Sequence, residues 1–147
     1  MSDLSILCLD FDGVIHRYSK GWHDGSIYDG MTEGFLEWAL AAMKHFRLVV
    51  YSSRSKEPGG TLAMARWMAK QAADIGGWQV TDLPNEPLFC LRLLQAWRAE
   101  VLLFYFAREK PPAFLTIDDR CVLFEGQWGE PALDPDELRR FKPWNAC

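Results

Sequence analysis

The sequence predicts an α/β domain, a three-layer α/β/α sandwich built on a mainly parallel, Rossmann-like sheet. Three observations predict it. Short apolar runs that read as buried strands, Ile6–Leu9, Phe46–Tyr51 and Phe114–Ile117, each stop abruptly at polar side chains. Segments between them carry apolar residues at helical spacing. Strand and helix alternate along the chain, as right-handed crossovers between parallel strands require.

The first strand ends in Asp10-Phe11-Asp12-Gly13, where Gly13 lets the backbone turn sharply at little steric cost. Residues 16–30, rich in glycine and aromatics (Tyr18, Gly21, Trp22, Gly25, Tyr28), read as a short flap loop. Phe35, Trp38, Ala39, Ala42 and Phe46 then predict a helix over Met31–Phe46 with Thr32 as its N-cap. The second strand runs into Ser52-Ser53-Arg54-Ser55. After the Pro58-Gly59-Gly60 turn, Leu62, Ala65, Ala69 and Ala73 predict a helix over Thr61–Ala73. A third helix is expected over Glu86–Glu100, from Phe89, Leu93, Leu94 and Trp97. Val101–Phe106 is the favoured third parallel strand and Trp78–Thr81 the competing choice; periodicity does not separate them. Glu109-Lys110-Pro111-Pro112-Ala113 precedes the last apolar run, which ends in Asp118-Asp119-Arg120. Asp134-Pro135-Asp136-Glu137-Leu138, with an N-cap Asp and an N1 Pro, starts a short C-terminal helix.

A chain of 147 residues, 49% hydrophobic and 14% aromatic, has room for one domain, 1–147, and for no separate cap domain. Cys8, Cys90, Cys121 and Cys147 show no C-x-x-C spacing, and the N-terminus lacks a basic segment followed by a long apolar stretch. Reduced thiols in a cytoplasmic protein are the expectation, without a signal peptide and with no membrane partner. The net charge of −4 argues against non-specific binding of nucleic acid. It leaves room for a local site, since Arg17, Lys20, Arg54, Lys56, Arg108, Lys110 and Arg120 all lie in or beside the strand-end loops.

Residues just beyond the carboxyl ends of parallel strands are where such sheets carry function. Two carboxylates spaced i, i+2 repel each other, and a cation offsets the repulsion; with oxygen donors only, Mg2+ is the expected ion. Asp10 is the candidate nucleophile for attack on phosphorus. Asp12, just past it, is placed to protonate the leaving oxygen and then recover the proton from water. Ser52 and Lys110 can supply a hydrogen bond and a fixed positive charge to the transferring group. Mg2+ would be held by Asp10, by Asp118 or Asp119, by the backbone carbonyl of Asp12, and by waters.

This ordered set, D-x-D-G-V, strand-S-x-R, K-P and strand-D-D, resembles the haloacid dehalogenase-like (HAD) superfamily of aspartate-nucleophile phosphohydrolases over about residues 4–124. The Ile117-Asp118-Asp119-Arg120 ending is similar to the phosphatase half of bacteriophage-type polynucleotide kinases. The resemblance implies the same roles for Asp10, Asp12, Ser52, Lys110, Asp118 and Asp119. Ser53, Arg54 and Gly13 are the candidate substrate contacts. Ser53 competes with Ser52 for the phosphate, Ser52 then being only a strand-end cap. His16 and His23 lie in the flap and are set aside as incidental loop histidines.

Two functions stand open. The favoured one is a Mg2+-dependent phosphomonoesterase working through a phosphoaspartate on Asp10. Its substrate is a phosphorylated small molecule or, because a capless site encloses little, a nucleic-acid end or other large phosphate carrier, unless a homo-oligomer covers the site. The alternative is a catalytically weak HAD-fold module that binds phosphate or another protein through aromatics such as Trp22, Trp128 and Trp144.

Overall fold

The run after Leu4 forms β1 (Ser5–Leu9), and buried Leu7, Cys8 and Leu9 put it at the centre of the sheet. A computed structural model describes residues 4–22, 24–82, 89–113, 115–117 and 122–124 of this chain. Along it follow α1 (Phe35–Ala42), β2 (Phe46–Val50), α2 (Gly60–Gly76), β3 (Gln79–Asp82), β4 (Phe89–Gln95), β5 (Glu100–Phe106), β6 (Leu115–Ile117) and β7 (Val122–Phe124). The seven strands form one sheet in the order β3-β4-β5-β2-β1-β6-β7.

The sheet is mixed, where the sequence led us to expect a mainly parallel one. Its centre, β5-β2-β1-β6, is parallel. The flanking pairs β3-β4, β4-β5 and β6-β7 are antiparallel. At one edge the difference arises because residues 89–95 of the helix expected over Glu86–Glu100 form β4, and at the other because β7, not expected from the sequence, pairs antiparallel with β6. Its side chains alternate: Leu91, Leu93 and Gln95 are buried while Arg92 is exposed. Leu91 faces Phe104 and Leu93 faces Leu102 across the β4-β5 ladder. A helical stripe would have buried Trp97, which stands 74% exposed in the 3-10 turn Ala96–Arg98 that closes the hairpin. Val101–Phe106 lies in β5 and is the third parallel strand, with Val49 opposite Tyr105 and Val50 opposite Phe106. The competing segment supplies β3, an edge strand whose pairing shifts register between Val80 and Asp82.

The first helix is shorter than expected. Gly34, at φ 79°, takes a left-handed conformation that suits glycine and interrupts the helical path, so α1 begins at Phe35. Thr32 is therefore not its N-cap; the Thr32 hydroxyl donates to the carbonyl of Val14 at 2.6 Å. Phe46 opens β2 instead of closing the helix. The buried face of α2 is Thr61, Met64, Ala65, Met68, Ala69 and Ala72. Ala65 and Ala69 were expected there, but Ala73 is exposed and Leu62 only half-buried, so the face centres on the two methionines.

Helix α1 packs on β2 and β5, with the Phe35 ring stacked on Phe104 at 5.8 Å, and α2 packs on β3 and β4. Their buried side chains join Leu7, Leu9, Leu48, Val50, Leu91, Leu93, Leu102 and Phe104 in a single core. A second helical layer is not found among the described residues, and the expected helix at Asp134–Leu138 lies outside them. No described helix is long and apolar enough to cross a membrane.

Candidate active site

Register brings four strand ends to one rim. Leu9 is level with Val50 and with Ile117, and Val50 is level with Phe106. The ladder continues one residue further, through Asp10 N–H to Ile117 O (2.9 Å), Tyr51 N–H to Leu9 O (3.0 Å) and Ala107 N–H to Val50 O (3.0 Å). Asp10 and the segments leading to Ser52 and Lys110 therefore leave the sheet side by side.

Beyond β1 the chain folds into a tight turn on itself. The amides of Ile15 and His16 both donate to Phe11 O at 2.9 Å, and Gly13, at φ 82°, donates its N–H to His16 O at 2.7 Å. Gly13 thus supplies the backbone freedom that the sequence suggested, but its amide is already used within the turn. Asp10 is half-buried, and its Oδ1 accepts the Phe11 amide at 2.8 Å.

Asp12 is the hub of the site. Its Oδ1 lies 2.9 Å from His16 Nδ1, and Arg54 Nε donates to both carboxylate oxygens at 3.1 and 2.9 Å. The same guanidinium donates to the carbonyls of Gly25 (2.5 Å) and Ser26 (3.4 Å) in the flap, and sits over the Phe11 ring at 5.8 Å. Arg54, expected to contact substrate, here joins the flap to Asp12. Such a planar fork fits a carboxylate and two carbonyls at once, which a lysine ammonium would not.

Ser52 is buried at the end of β2, and its Oγ accepts the Arg54 amide at 3.2 Å. The Ser55 hydroxyl accepts the Ser52 amide in return at 3.1 Å, so a reciprocal cap starts the 3-10 turn Ser53–Lys56. Ser52 has a capping role, then, and its hydroxyl still has a proton to donate. Ser53 is exposed. Lys110 is exposed in the loop after β5, on the same rim by topology. Asp118 and Asp119 lie outside the described residues, following β6 in sequence. Among the described residues no group of three or more His, Cys, Asp or Glu side chains is arranged to hold a metal ion.

The flap is anchored at its base by Asp29. Ser19 donates both its hydroxyl and its amide to Asp29 Oδ2, and the Gly30 amide donates to Oδ1. These donors, the Ser19 hydroxyl foremost, hold the Asp29 carboxyl well below the usual carboxylate range. Tyr28 ties the flap across itself, accepting from Lys20 N–H and donating to Gly21 O. Tyr18 sits at φ 56°, uncommon for a residue with a side chain. Lost hydration, followed by the nearby Asp12 charge, pushes its phenol up. Trp22 at the flap tip is 75% exposed, so it does not pack on α1. Between the flap and the turn after Ser52 lies a cavity of ≈ 380 Å³, lined by Gly25, Ser26, Ile27, Arg54, Pro58 and Ala63 among others.

His16 is the site residue that sequence reasoning passed over. It is wholly buried, while its partner Asp12 is partly exposed. The available signal was its i, i+4 spacing from Asp12 across a glycine turn. Comparison with models of known families, with curated proteins and with solved structures gives no match.

Proposed function

We propose that this protein is a Mg2+-dependent phosphomonoesterase of the haloacid dehalogenase-like kind, acting through a phosphoaspartate on Asp10. The reading extends to the fold: a Rossmann-like three-layer sandwich without a cap domain. The observation that carries it is the shared rim, on which a strand-end acid pair (Asp10, Asp12) and a strand-end serine with its arginine (Ser52, Arg54) are adjacent through a parallel register.

In this mechanism an Asp10 oxygen bonds to phosphorus while the bond to the ester oxygen breaks, the electron pair leaving with that oxygen. Asp12 delivers a proton to it, then takes one from the water that hydrolyses the acyl phosphate and frees Asp10. The Ser52 hydroxyl and the Lys110 ammonium stabilise phosphoryl oxygens. Mg2+ would be held by Asp10, Asp118 or Asp119, and the Asp12 carbonyl; when bound it offsets repulsion between the carboxylate and the phosphoryl group. The exposed flap, and the lack of a cap domain among the described residues, favour a phosphate on a nucleotide, a nucleic-acid end or another large carrier. A second reading, an interaction module of the same fold, is favoured by the exposure of Trp22.

A phosphate-ester screen including nucleotides and 3′-phosphorylated oligonucleotides tests this. Hydrolysis of an aryl phosphate is expected only with Mg2+ and is suppressed by Ca2+, a larger cation that takes more ligands in a looser arrangement than Mg2+ does. Undiminished turnover in excess chelator would refute the metal dependence. No turnover of any ester, with Mg2+ present, would favour the module.

A further inference from the structure

His16 has both ring nitrogens engaged in a pocket with no exposed surface. Its Nε2 accepts the backbone N–H of Asp29 at 2.9 Å. A backbone amide can only donate, so the Nε2 lone pair is occupied and the ring proton is assigned to Nδ1. Nδ1–H therefore donates to Asp12 Oδ1, 2.9 Å away. Phe11, Tyr18, Tyr28 and Trp67 surround the ring, with centroids 5.2 to 5.7 Å from it, and hold its orientation.

We infer that His16 is a positioning residue for Asp12, fixing the carboxylate by a donated hydrogen bond while fastened to the base of the flap at Asp29. The inference rests on the acid role proposed for Asp12. With His16 and one branch of the Arg54 contact on Oδ1, Oδ2 is the oxygen that keeps a lone pair for the transferred proton. The imidazole itself is too enclosed to meet substrate. Its effect is on where Asp12 points, and it links that direction to the flap backbone.

Two measurements test this. Long-range 1H–15N spectra of the imidazoles, assigned by elimination with His23→Gln and His45→Gln, should show His16 protonated on Nδ1 and bare on Nε2. A proton on Nε2 overturns the tether, whatever the protein catalyses. The second is kinetic. His16→Phe fills the aromatic slot without a donor, whereas the side-chain amide of His16→Asn can replace Nδ1–H. With phenyl phosphate, whose poor leaving group needs the acid, His16→Phe should lower kcat about tenfold or more with KM little changed. With 4-nitrophenyl phosphate the loss should be about threefold or less, and His16→Asn should recover most of the phenyl phosphate rate. Equal losses on both esters, or no recovery by Asn, would reduce His16 to a packing residue. Wild type showing no Asp10-dependent turnover would overturn the phosphatase reading, and the acid's positioning with it, while the spectra still report the tether.

Discussion

Asp10 and Asp12 are two residues apart, yet their surroundings differ. Asp10 meets the amide of Phe11, whereas Asp12 is gripped by Arg54 and His16. The proposed mechanism gives them distinct roles, with distinct losses. Asp10→Asn should abolish any phosphoenzyme trapped by rapid acid quench. Asp12→Asn should still form it with 4-nitrophenyl phosphate but lose about 10²–10⁴-fold with poor leaving groups. Equal, mild effects would return both acids to an ordinary turn. Ser52→Ala removes a cap as well as a donor, so it should lower unfolding free energy by about 0.5–2 kcal/mol, while Ser53→Ala, on an exposed hydroxyl, should not. Asp29 offers a pH test. Its folded-state pKa is depressed, so its stabilising effect is complete above the ordinary carboxylate value and is lost progressively as pH falls from there through the depressed one. The Ser19 and Gly30 amide resonances should stay fixed from neutral pH down to about 4 and move only below it. A midpoint at the ordinary carboxylate value would show the anchor absent in solution. The residues at strand ends were legible in the sequence because chemistry and breakpoint coincide there. His16 was not, because a buried histidine and an idle loop histidine look alike until the fold shows what each nitrogen meets.

Strands β1, β2 and β6 were readable as apolar runs with polar ends, β5 was the favoured of two choices that periodicity does not separate, and the four carry the rim. The segment before β5 was misread for a physical reason. Phe89, Leu93, Leu94 and Trp97 satisfy a helical stripe, while Leu91, Leu93 and Gln95 satisfy an alternating one, and a short apolar run does not choose between them. The choice is made by β5, whose Leu102 and Phe104 accept Leu93 and Leu91 as cross-strand partners. Substitutions separate the two pictures. Leu93→Ala should destabilise by about 2–5 kcal/mol, since it empties a closed core site. Trp97→Ala should change stability by no more than about 0.5 kcal/mol. Comparable losses at both positions in chemical denaturation would restore the helix. The same lesson applies to α1, where Gly34 rather than the apolar spacing decides the starting point.

Seen together, a rim of strand ends, a flap tied to Asp12 and an exposed Trp22 describe a site that, among the described residues, the flap covers from one side. Trp22→Ala should leave the melting temperature unchanged, since little of the side chain is buried, and should lower kcat/KM for nucleotide or oligonucleotide phosphates more than for an aryl phosphate. Marked destabilisation would make it a packing residue and remove its support for a large substrate. The strand order has a further effect, on the route by which the chain acquires its shape. β4 and β5 are sequence neighbours joined by one turn, but β1 is bordered by β2 and by β6, so Leu7 must meet both Leu48 and Leu115. Closing loops of that size loses chain entropy before any contact repays it, so the hairpin forms early and the β1-β6 seam late. Mutations in the hairpin should therefore slow refolding, and mutations along the seam should mainly hasten unfolding. Asp10 stands at the end of that seam, its amide bonded to Ile117 O, so its surroundings would be completed only when nearly everything else is in place, and a partly folded chain would lack the rim.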